Sequence, residues 1–337
     1  MTGRPAVSAL PGKAPLLVAF ASALVFALAS PAHADSYPSR QITIMPLLAP
    51  GTGLDVTVRL YADQMAQSFG KPVVVENRPG SAGLIGIAAL KAAPADGYTL
   101  IVATSAVMAI RPALMKQVPY DAEKDFVPIA LYVKSPFILV VDPKLPIHSV
   151  PELIQYVKAR PGQISFSSSG VGGAPHLSLE FMKQRFGFEA AHVPYRNSPQ
   201  SIADVAAGHV AMSFAEAGAS LPLIRDGKLR ALAVTSATRL PTVPELPPIG
   251  EAVGSPDFEA VSWHVLLAHA ATPPDVVARL RGEMVRVWAL PGMRDKVAAI
   301  GLIPIDIASL DGMRGYIRSE NEKWGALVRQ LGLQGSQ

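Results

Sequence analysis

Residues 42–69, ITIMPLLAPGTGLDVTVRLYADQMAQSF, run from an apolar β-rich stretch through a glycine turn into an amphipathic one. Ile42 to Leu48 reads as a buried strand. Val56 to Phe69 sets Val56, Leu60, Tyr61, Met65 and Phe69 at helical spacing, with Arg59, Asp63 and Gln67 elsewhere on the wheel. A strand that turns through glycine directly into a helix opens an α/β unit. The pattern recurs outward from there. Apolar runs mostly bounded by Gly, Pro, Asp or Asn lie at Val73 to Glu76, Thr99 to Ala103, Phe137 to Val141, Ile164 to Ser167, Ala211 to Phe214, Leu229 to Thr235 and Val261 to Ala268. Amphipathic stretches of helical length lie between several of them or beyond: Pro151 to Arg160, Pro175 to Phe186, Pro199 to Gly208, Pro273 to Trp288 and Leu310 to Leu331. Strands alternating with helices predict α/β lobes with largely parallel sheets. Leu240 to Pro256, rich in proline, reads equally as a connection between lobes or as a surface loop.

Ahead of the first strand, Arg4 and Lys13 precede an apolar run, Leu16 to Leu28, and then Ala32-His33-Ala34. That order reads as a secretory signal, residues 1–34, cleaved after Ala34; the run is shorter than the roughly 20 residues a membrane span needs. The mature protein is therefore expected to begin near Asp35 and not to be inserted in a membrane. Losing Arg4 and Lys13 lowers the formal charge from +4 to +2, which gives no electrostatic footprint for nucleic acid. The chain has no cysteine, which excludes disulfides, thiolate metal sites, a cysteine nucleophile and a lipidated N-terminus. About 300 mature residues suffice for two lobes with separate cores.

Two glycine-rich turns draw attention. Ala49-Pro50-Gly51-Thr52-Gly53-Leu54-Asp55 leads into a helix, whose N-terminal amides and dipole suit an anion. Asp55 in the first turn opposes an incoming anion, so its expected work is to cap the helix and pin the loop, leaving the amides of Gly51 to Gly53 for a ligand. Ser167-Ser168-Ser169-Gly170-Val171-Gly172-Gly173-Ala174-Pro175-His176 has the same strand-to-helix setting, with hydroxyls and flexible amides suited to carboxylate oxygens. Loops more than a hundred residues apart cannot belong to one βα unit; if both bind, they face each other across a cleft that closes on its ligand. His192-Val193-Pro194-Tyr195-Arg196-Asn197-Ser198-Pro199 adds a cation and an amide ahead of another Pro-opened helix. Arg196 reads equally as a bidentate carboxylate partner or as solvated surface.

Catalytic signatures do not accompany these loops. There is no G-x-S-x-G elbow, no Walker pattern, no complete dinucleotide fingerprint and no H-E-x-x-H. His176 reads as a packing and hydrogen-bonding residue behind its loop rather than as a base. The expectation is a binding protein without catalytic residues, metal or cofactor.

Read together, the two loops and further ordered segments strongly resemble the tripartite tricarboxylate transporter receptor family, the Bug-type extracytoplasmic solute receptors. The resemblance runs from about Tyr37 to at least Leu280. It includes Tyr37-Pro38-Ser39-Arg40, the G-x-G-x-D loop ending at Asp55, Val75-Glu76-Asn77-Arg78-Pro79-Gly80, Ala93-Pro94-Ala95-Asp96-Gly97-Tyr98, Ser169-Gly170-Val171-Gly172 with His176-Leu177, Val193-Pro194-Tyr195-Arg196 and the segment Gly227 to Thr235. It implies a class II periplasmic-binding-protein fold, with two α/β lobes around a hinged cleft. The expected limits are 35–136 with 259–337 for one lobe and 137–258 for the other.

It further implies a periplasmic monomer that binds a small organic carboxylate and docks on the membrane permease subunits of a tripartite transporter; a sensory receptor that presents the bound acid to a signalling partner is the alternative. The implied ligand set joins Gly51, Thr52, Gly53, Asp55, Ser168, Ser169, Gly170, Val171, Gly172, Gly173 and His176 from the loops to Thr104, Ser105, Arg196, Asn197 and Glu216. The chain departs from the family pattern at Leu48, Leu54, Gly173 and Ala215-Glu216. An acidic Glu216 in the cleft disfavours a second carboxylate on the ligand, and Glu216 as a solvated loop residue is equally consistent.

Overall fold

The computed structural model describes residues 1–3, 6, 37–80 and 83–336. The expected leader, residues 1–34, lies outside the described residues except at positions 1–3 and 6. Arg40–Gln337 forms one compact unit. Among the described residues no helix is long and apolar enough to cross a membrane.

The opening segment forms strand β1 (Ile42–Pro46) and helix α1 (Gly53–Phe69). Thr52 caps that helix by accepting from the Asp55 amide at 3.4 Å, and Gly70 ends it in the left-handed region, φ 62°. There follow β2 (Val73–Val75), α2 (Leu84–Ala92), β3 (Thr99–Thr104), a π-helical turn (Ala106–Ile110), α3 (Arg111–Leu114) and β4 (Phe126–Ser135). With β10 (Ser262–His269) and β11 (Ile303–Pro304) these strands form a six-stranded sheet ordered β11-β4-β10-β3-β1-β2. Pairings among β1, β2 and β3 are parallel, whereas β10 runs antiparallel to both β3 and β4.

The second sheet, ordered β7-β6-β8-β5-β9, comprises β5 (Phe137–Val141), β6 (Ser165–Ser168), β7 (Ala191–Pro194), β8 (Met212–Glu216) and β9 (Arg230–Val234). Helices α4 (Val150–Lys158), α5 (Ala174–Phe186), α6 (Ser198–Ala207) and α7 (Ala217–Arg225) alternate with its strands. The sheets are mixed rather than largely parallel, because the strands that follow the crossings, β5 and β10, enter against their neighbours.

Leu240 to Pro256 is not the connection between lobes. Leu240, Val243, Leu246 and Ile249 are buried, Val234 pairs with Pro248, and α8 (Ile249–Ala252) closes the segment against β9. Apolar spacing within the proline-rich stretch thus fastens it to the second lobe.

The chain passes between the sheets twice, at Ser135 to Phe137 and again around Glu259 to Val261. These crossings are tied side by side: Thr235 exchanges backbone bonds with Phe137 and Ala260, and Lys134 Nζ reaches Glu259 Oε2 at 2.6 Å. After α9 (Pro274–Trp288) and α10 (Met293–Ala298), helix α11 (Leu310–Gln330) packs on both lobes. Its Glu320 Oε2 accepts from the indoles of Trp263 and Trp324, each at 2.9 Å, and Trp324 meets Phe181 of α5 edge-on. These two buried indole donors each find an acceptor.

Candidate functional site

The first glycine loop is held by Asp55. This carboxylate, 3% exposed, accepts from the Gly51 amide at 2.9 Å and from Arg59 Nε, while Arg59 also reaches Asn77 and Asn77 holds Leu48 O. Burial pushes the Asp55 carboxyl up, but the bonds from Arg59, Gly51 and Asn77 outweigh it and leave it below the usual range. Asp55 therefore pins the loop as expected, whereas the cap is Thr52 and the Gly51 amide is already used. The amides of Gly53 and Leu54, at the helix start, have no intrahelical acceptor. Gly51 has φ 81°, a conformation that glycine adopts without strain.

The second loop is tied from inside in the same manner. Ser168 Oγ accepts from the Gly170 amide and bonds His192 Nε2 at 2.7 Å, His176 Nδ1 accepts from the Gly172 amide at 3.0 Å, and Gly170 O accepts from Gly173 N. Ser167 bonds Ser201 beneath the loop. Ser168 and His176 are buried, and their polar atoms are engaged in these bonds. Ser169 and Val171 stand on its exposed side.

The remaining expected ligand residues are not on the glycine loops. Thr104 and Ser105 are buried, and Ser105 Oγ lies 2.9 Å from Ser262 Oγ. Asn197 Oδ1 caps α6 by accepting from Gln200 N. Arg196 lines a separate shallow depression with Pro194, Tyr195 and Gln200. Glu216 follows Met212 and Phe214 on one face of β8, and burial raises its carboxyl above the usual value.

A cavity of about 140 Å³ is lined by Ala106, Arg111 and Leu114 from the first lobe and by Ser169 to Gly173 from the second. Sequence reading missed Arg111, which sits in no motif. Its amide closes the π turn on Ala106 O, and Tyr120 holds the same turn through Val107 O. Leu302 lies 3.6 Å from the Cβ position at Gly53, and its neighbour Gly301 abuts Ala217 at the start of α7. A larger cavity, about 290 Å³, lies between β4, β10 and α11 within the first lobe, away from both glycine loops. Among the described residues no cluster of three His, Asp or Glu side chains is arranged to hold a metal.

Residues 57–333 match the model of the tripartite tricarboxylate transporter family receptor. BugT of Bordetella pertussis is 36% identical over 306 residues, spanning 90% of this chain and 93% of that protein. Among solved structures, an R. palustris protein determined with adipate is 32% identical with a TM-score of 0.78, covering 88% of this chain and 98% of the other. MatC from Rhodopseudomonas palustris, with bound malate, is 25% identical with a TM-score of 0.73, covering 87% and 100%.

Proposed function

The chain belongs to the tripartite tricarboxylate transporter receptor family, and from that membership we propose that it is an exported periplasmic receptor which holds a small organic carboxylate between its lobes and delivers it to a membrane permease. The observation that carries the reading is the cavity shared by Arg111, on one lobe, and the Ser169 to Gly173 loop, on the other. Ligand contacts fall to that loop and to Thr52 and Gly53 of the first, while Gly51, Asp55, Ser168 and His176 hold the loops in shape. The division of strands between two sheets supports lobe limits at 35–136 with 259–337 and at 137–258. Residues 1–34 act as the leader, cleaved after Ala34.

Relatives support the ligand class, since two of the solved proteins carry adipate and malate. Receptor work requires binding without turnover. A thermal-shift and calorimetric screen of mono-, di- and tricarboxylates and aromatic acids tests it. At 100 times its dissociation constant a true ligand raises stability by about 2.7 kcal/mol. Recovery of the acid unchanged is expected; absence of a shift with every acid rejects the assignment.

A further inference from the structure

Arg111 has a setting that its helix does not explain. The π-helical turn Ala106–Ile110 bonds the Arg111 amide to Ala106 O, and both residues face the cavity shared with the second lobe. The side chain is partly buried, yet its hydrogen bond goes to the sulfur of Met115, at 3.7 Å, a weak acceptor. No carboxylate among the described residues pairs with it, and no acidic side chain lines the cavity. The opposite wall is neutral, formed by Ser169, Val171 and three glycines. A partly desolvated guanidinium facing a neutral loop that exposes the Ser169 side chain is completed by an anion. At about 140 Å³, against roughly 30 Å³ per water, the space admits a carboxylate with a few carbons.

We infer that Arg111 is the charged group that receives the ligand's carboxylate, with the Ser169 to Gly173 loop closing over it from the other lobe, and that this single cation sets a preference for an acid with one carboxylate at that end. The inference rests on the receptor role proposed above and names the specificity-determining residue within it. π turns are often placed at functional positions, and here the turn sets where the cation emerges.

Calorimetry on the mature protein with adipate, malate, propionate and benzoate provides the test, using wild type, Arg111→Gln and Arg111→Lys. The best wild-type ligand is expected to lose tenfold to a hundredfold in affinity in Arg111→Gln and less in Arg111→Lys, which keeps the charge but not the fork. Wild-type affinity falls with added salt, and that dependence weakens in Arg111→Gln. Ligand-free melting temperatures of the folded variants stay close to wild type, which a structural role would not allow. If Arg111→Gln binds within twofold of wild type with an unchanged salt dependence, Arg111 is not the carboxylate's partner and the receptor role stands. If wild type itself binds no acid in the wider screen, the receptor role fails and this inference with it.

Discussion

The imidazole rings of His176 and His192 stack with centroids 3.8 Å apart and planes 19° from parallel, and each ring fastens one arm of the second glycine loop. His176 receives the Gly172 amide, and His192 holds Ser168, which receives the Gly170 amide. Phe166 stacks on His192, Lys183 lies over the Phe166 ring, and Glu180 sits 3.9 Å from His176 Nε2. Burial, then the neighbouring ring and Lys183, hold His176 down to about 3; burial and Lys183 hold His192 at about 4.

Both rings are therefore neutral when folded, while in the unfolded chain they take up protons near pH 6.5. Between those values the unfolded state binds more protons, so their contribution is complete above pH 6.5 and is lost as pH falls towards 4 and then 3. Urea unfolding at pH 7, 6 and 5 should show stability dropping across a range in which few carboxylates titrate, and His176→Gln should flatten the slope. A wild-type profile that is level from pH 7 to 5 would contradict the neutral pair.

Lys134 and Glu259 join the two crossings, and each side chain is about a quarter exposed. Glu259 also accepts from the Ala237 amide, and its backbone carbonyl accepts from Lys323 of α11. A double-mutant cycle with Lys134→Ala and Glu259→Ala should give a coupling of about 1 kcal/mol in unfolding, the upper end for exposed pairs. The same variants should alter a ligand-induced compaction measured by X-ray scattering, because the pair ties together the two segments that pass between the sheets. Zero coupling together with unchanged compaction would remove the pair from the hinge.

The strands around the glycine loops could be read directly because apolar runs there end abruptly at Gly or Pro. Strand β4, the longest, carries no clear strand signature in the sequence. Pro128 interrupts its run, and a central strand rarely tolerates proline. The structure accommodates it because β11 pairs only at Val133 and Lys134, leaving Pro128 on an open edge opposite Leu267, beside a register shift. For the site, the sequence shows which loops carry glycine but not which amides are already used. Asp55 and His176 consume two of them through contacts four residues away. Arg111 was out of reach for a different reason: a π turn is a backbone event with no residue spacing to announce it.

Glu216 ends β8 with no ion pair among the described residues, and burial raises its carboxyl. Below the unfolded value of 4.5 the group is protonated in both states and carries no penalty. As pH rises through the folded value, the folded state must bury a charge, and stability is lost. Glu216→Gln should therefore raise the melting temperature at pH 7 and lose that advantage below pH 4.5. A melting temperature at pH 7 equal to or below wild type would mean that the carboxylate has a compensating partner.

Asp55 gives the sharpest separation between holding a loop and touching a ligand. Its carboxylate is buried and already engaged by Gly51 and Arg59, so Asp55→Ala frees the Gly51 amide and leaves the Arg59 guanidinium without its buried partner. A loss of about 1–3 kcal/mol in stability is expected from the orphaned groups. Affinity should fall as well, because a loop at φ 81° no longer has its anchor and must be ordered by the ligand. Since Asp55 repels anions, a direct ligand contact would instead predict tighter carboxylate binding on its removal. Unfolding and calorimetry on the same variant separate the two: weaker binding with lower stability supports the pin, and tighter binding places Asp55 against the ligand.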